Sequence, residues 1–135
     1  MIPLEEFWAE NNEIRDLCAI LDVSVDRSEL KDNSIVCELL ERFAEKVNAH
    51  LAHEDRLVYS DLLKKHTKEA DTIADKFLGN TQELKRIFSG YARHWCKGEH
   101  SDQAHAKFLE ESHEIFRLVC ERLDFEEQKI FPVFE

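Results

Sequence analysis

An all-α fold, an up-down-up-down four-helix bundle, is what this sequence predicts, and three observations predict it. Only three glycines and two prolines occur in 135 residues, too few for the tight turns of a sandwich or barrel. Apolar residues recur at steps of three and four over stretches far longer than a strand. A hydrophobic fraction of 43% suits a folded core, and the length suits one domain over residues 1–135.

The first helix is expected from about Pro3 to Leu21. Proline fits a first helical turn, and Leu4, Phe7, Trp8, Asn11, Ile14, Leu17, Cys18 and Leu21 follow one stripe. "DVSVDRSELKDNS" is polar, breaks that period and reads as a loop. A second helix should run from about Ile35 to Lys65, capped by Asp32, Asn33 or Ser34. The third is expected from near Thr67 to Lys97, with Gly79 and Gly90 inside it, and Gly98 as its stop. The fourth should cover roughly Asp102 to Phe131 before Pro132.

Two segments match in register: "HLAHEDRLVYS" in helix two and "RLDFEEQKIFP" in helix four. Leu51 pairs with Leu123, Glu54 with Glu126, Asp55 with Glu127, Val58 with Ile130 and Tyr59 with Phe131. The inward stripe of helix two reads Leu39, Phe43, Val47, His50, Glu54, Leu57. That of helix four reads Phe108, Ser112, Ile115, Val119, Arg122, Glu126, Ile130. Glu54 and Glu126 thus point at the interior, while Asp55 and Glu127 turn away by about 100°. Buried carboxylates without a partner are costly, so two facing ones require a cation.

On these segments the chain resembles the hemerythrin-like (HHE cation-binding) domain family over nearly its whole length. The resemblance implies a four-helix bundle with a non-haem di-iron centre, bridged by two carboxylates and completed by histidines. It puts His50 and Glu54 on ligand positions and Glu126 on the second bridging carboxylate. At the other ligand positions stand Asn11 on helix one, Asn80 or Thr81 on helix three, and Arg122 on helix four. Iron needs several imidazoles beside its carboxylates, and one remains. Guanidinium cannot ligate a metal, yet it can bridge two carboxylates. The expectation is therefore a site without a cofactor. There Arg122 neutralises Glu54 and Glu126, with His50, Asn11, Asn80 and Thr81 around it. The alternative is one non-haem iron or zinc held by His50, Glu54, Glu126 and either Asp55 or Glu127, in a sensor or carrier of oxygen or nitric oxide.

Other groups carry less. His94, Cys96 and His100 lack a fourth zinc ligand, and His53, His105 and His113 read as flank or surface residues. Cys18, Cys37, Cys96 and Cys120 form no CxxC pair and read as reduced thiols of a cytoplasmic protein. No nucleophile elbow or phosphate loop is present, so no catalytic residue is assigned. A net charge of −11 speaks against nucleic acid and anionic membrane and favours a basic protein partner. No apolar run reaches the roughly 20 residues of a membrane span, and the start lacks a signal-peptide pattern. The function expected is that of a bacterial regulatory or protein-binding module, monomeric or homodimeric.

Overall fold

Pro3 precedes the first helix, and Glu5 and Glu6 place negative charge in its first turn, where the helix dipole favours it. The structure is a computed structural model that describes residues 2–27, 34–89, 91, 95 and 102–135. In it α1 spans Leu4–Ser24, α2 Ser34–Glu54, α3 Ser60–Lys64, α4 Lys68–Phe88 and α5 Asp102–Phe125. A π-helical turn, Asp55–Tyr59, joins α2 to α3 in one rod. A second, Glu126–Ile130, extends α5 into a terminal 3-10 turn, Phe131–Phe134. These rods form a four-helix bundle in which α1 packs on α2 and α5, and α4 packs on α5. Among the described residues no helix is long and apolar enough to cross a membrane.

The link from α3 to α4 follows from local chemistry. His66 takes a left-handed φ of 52°, the usual way to leave a helix end. Thr67 then caps α4, its hydroxyl accepting from the Ala70 amide at 3.0 Å. Glu69 and Asp71 open α4, and Lys85 and Arg86 close it, matching the dipole at both ends.

Several expectations need correction. α1 runs on to Ser24, one turn into the supposed loop, because Val25 is buried and anchors its end. α4 ends at Phe88, where Ser89 turns to extended backbone at ψ 109°. Tyr91 and Trp95 are again helical, and the expected end at Lys97 lies outside the described residues. Gly79 sits inside continuous α4. In the second helix Leu40 and Val58 are fully buried, while Leu39 and Leu57 pack partly buried against the apolar clusters. The wide π-turn causes the second of these shifts. Glu54, Val58 and Leu62 are four apart, a spacing that would drift about 40° per step on an α-helix. The larger turn absorbs that drift and keeps all three inward. Asp32, Asn33, Gly90, His94, Cys96, Gly98 and His100 lie outside the described residues.

The interior is divided. One apolar cluster gathers Ile14, Leu21, Leu40, Phe43, Val47, Ile115, Phe116 and Val119 with Tyr91 and Trp95. A smaller one gathers Phe7, Val58, Leu62, Ala74, Phe77, Ile130 and Phe131. Buried Asn11, His50, Glu54, Thr81, Arg122 and Glu126 belong to neither cluster. Buried Ser112 is satisfied by a hydrogen bond with the Tyr91 hydroxyl. The fate of the cysteines also differs from expectation: Cys37 is disulfide-bonded, while Cys18 and Cys120 are free.

Candidate metal-ion or ion-pair centre

Helical spacing brings the polar residues to one level. His50 and Glu54 lie four apart on α2, and Arg122 and Glu126 four apart on α5 and its π-turn, so each pair shares a face. Arg122 is 2% exposed although, among the described residues, it is the bulkiest fully buried side chain. Its Nε donates to Glu126 Oε2 at 2.6 Å, and its Nη2 to Glu54 Oε1 at 3.2 Å. Nη1 donates to Thr81 Oγ1 at 2.8 Å, Asn80 Oδ1 at 2.9 Å and the Phe77 carbonyl at 3.3 Å. The guanidinium also lies 4.2 Å from the Phe77 ring centre. A cation buried this deeply is tolerable only because its donors have acceptors.

His50 completes the centre from the α1 side. Its Nε2 lies 2.9 Å from Glu126 Oε1 and 3.1 Å from Glu54 Oε1. Its Nδ1 lies 2.6 Å from Glu10 Oε1, and the other oxygen of Glu10 meets His53 Nδ1 at 3.0 Å. Burial would lower the His50 pKa. The hydrogen bonds to Glu10, Glu126 and Glu54 outweigh it and push the ring up to about 12, so it is imidazolium at neutral pH. An open cleft lined by Glu10, Glu13, Lys46, His53 and Arg56 reaches His50 from outside.

The two glutamates differ in charge. Burial, then the negative charge of Glu126, raises Glu54 to about 8. Burial alone would raise Glu126 too. Hydrogen bonds to Glu54 and His50 and the charge of Arg122 overcome it, holding Glu126 at about 2. The geometry agrees: Arg122 makes its short bond to ionised Glu126 and its longer one to protonated Glu54. Glu54 Oε2 is buried and accepts no hydrogen bond, which a neutral carboxyl bears better than a carboxylate.

Asn11 is buried at the edge of the centre but turns its amide to Glu127, with Nδ2 donating at 3.1 Å. Glu127 also takes Arg15 at 2.5 Å, and Asp124 takes it at 2.7 Å. Glu10 escaped the sequence reading, although it adjoins Asn11 at the level of the centre. The signal was present: an acid beside the expected α1 ligand position, opposite a histidine. His113 lies far from this centre, between Asp22 and Asp26 at 2.8 Å each.

Among the described residues one group could hold a metal ion: His50, Glu54 and Glu126, whose ligand atoms lie within 4.8 Å of one another. The family model of the hemerythrin HHE cation-binding domain matches residues 2–134, and the chain belongs to that family. No characterised protein and no solved structure matches it. A dinuclear iron centre does not fit the donors described. Among the described residues it would have one imidazole, His50, where two iron ions need several. The positive guanidinium of Arg122 also lies against both carboxylates that would bridge the ions.

Proposed function

We propose that this chain is a hemerythrin-family domain in which Arg122 takes the place of the metal, and that it acts as a regulatory or protein-binding module. The observation that carries the reading is the single guanidinium donating to both facing glutamates, at 2.6 and 3.2 Å. A protonated His50 and a protonated Glu54 leave the centre close to neutral, so it has no unmet demand for a divalent cation. Function then rests with the surface, and a net charge of −11 suits a basic protein partner. Such a complex would weaken steeply as salt is raised.

A second reading has one observation in its favour. Glu54 Oε2 accepts no hydrogen bond next to His50 and Glu126, and a single iron or zinc would satisfy it. These three residues would hold the ion, which would supply Lewis-acid or redox chemistry. Binding would require His50 and Glu54 to lose their protons. Isothermal titration of the purified protein with zinc, and anaerobically with ferrous iron, separates the two. The proposal expects no stoichiometric binding at neutral pH. Binding of one ion per chain, lost in His50→Ala, supports the second reading.

A further inference from the structure

Two free thiols meet between α1 and α5, away from the buried ion layer. Cys18 Sγ lies 3.7 Å from Cys120 Sγ and 3.8 Å from the Phe116 carbonyl. Cys18 is 4% exposed, whereas Cys120 is half-buried. A surface cleft beside them is lined by Arg15, Ala19, His113 and Phe116 together with both cysteines. We propose that Cys120 and Cys18 form a dithiol site that reacts with low-molecular-weight disulfides and closes into a reversible cross-link between the first and last helices.

Neighbouring thiols in a core are often mere packing. Here the two sulfurs are unequal in ways that suit exchange. The Cys18 hydrogen bond lowers the Cys120 thiol, burial opposes this, and Arg15 adds to the lowering, to about 7. Cys18 is pushed well above the usual thiol range by its bond to Cys120 and by burial. One sulfur is thus half-exposed and readily ionised, and the other is a buried thiol held against it. The separation must close from 3.7 Å to the ~2.05 Å of a bond, a movement of side chains on helices already in contact.

The chemistry balances without another reagent. The Cys120 thiolate attacks one sulfur of RS–SR, that S–S bond breaks, RS⁻ leaves, and Cys120 carries a mixed disulfide. Cys18 then loses its proton and attacks the Cys120 sulfur. The Cys18–Cys120 bond forms, the mixed disulfide breaks, and the second thiolate leaves with the proton as RSH. Two electrons pass from the protein to the small disulfide.

The test treats the whole protein with glutathione disulfide, quenches it with acid and maps unreduced peptides by mass spectrometry. The expected product is a Cys18–Cys120 peptide pair lighter by two hydrogens, reversed by excess glutathione. Cys18→Ser should instead accumulate a glutathione adduct on Cys120, and Cys120→Ser should leave Cys18 unmodified. If circular dichroism shows that Cys18→Ser does not fold, Cys18→Ala carries the same arm. Absence of the cross-link in folded wild-type protein would overturn the proposal. So would an unmodified Cys120 in the folded Cys18 variant.

Discussion

Arg122 has five N–H donors, no acceptor and a charge it does not lose, so whatever surrounds it must be acceptors. The two glutamates, Asn80, Thr81 and the Phe77 carbonyl meet that demand. Removing the cation leaves Glu126 buried beside Glu54 with only His50 to offset it. Arg122→Ala should therefore cost about 3–5 kcal/mol in urea denaturation, the usual loss when half of a buried ion pair is removed. Glu126→Gln should destabilise more than Glu54→Gln, because Glu126 carries the charge that both cations face. The pH dependence follows from the same groups. Glu54 ordinarily titrates at 4.5 and is pushed up to about 8, so its stabilising effect is full below 4.5 and fades as pH rises to 8. Glu126, held at about 2 against an ordinary 4.5, contributes above 4.5 and loses its effect as pH falls towards 2. His50, raised from 6.5 to about 12, loses its contribution only as pH climbs between those values. The centre should thus stabilise most near pH 4.5 and progressively less through neutrality. Glu54→Gln should flatten the decline between 4.5 and 8, and an unchanged slope in denaturation midpoint would contradict the assignment.

At the level of elements, the two π-turns are the feature that the repeat concealed. Both begin at a carboxylate of the centre: one immediately after Glu54, the other at Glu126 itself. Each lets a wide step of four residues stay on one face, holding Val58 and Ile130 in the lower apolar cluster. Periodicity at 3.6 residues per turn could mark Glu54 and Glu126 as inward, because they lie in or at the edge of regular helix. It failed beyond Glu54, at Leu57, because a π-turn changes the period without leaving a signature in residue type. Gly79 makes a separate prediction. It lies exposed in the middle of α4, and nothing stands within 4 Å of where a Cβ would be. Gly79→Ala should raise stability by about 0.5–1 kcal/mol, read as an upward shift in melting temperature, through helix propensity alone.

Across the whole molecule, the four helices, the facing acids and the place of Arg122 were legible because helical spacing determines which residues share a face. Glu10, the Cys18–Cys120 contact and the Cys37 disulfide were not, because each depends on how separate helices meet. A Cys18–Cys120 cross-link would span a sequence separation of 102 residues, and chain-entropy arguments give such a closure about 4–5 kcal/mol. The oxidised form should accordingly melt at higher temperature than the reduced form, with Cys120→Ser indifferent to glutathione disulfide. The division of the interior into two apolar clusters and a polar layer makes the molecule depend on that layer being satisfied. Whether a guanidinium or a metal satisfies it is the central question. The most direct measurement is elemental analysis of the protein after anaerobic loading with ferrous iron, exposure to air and desalting, with the near-ultraviolet spectrum recorded throughout. With Arg122 between the two glutamates, no stoichiometric iron and no oxo-bridge absorption are expected. Stoichiometric iron with such bands, abolished by Glu54→Gln or Glu126→Gln, would contradict that expectation.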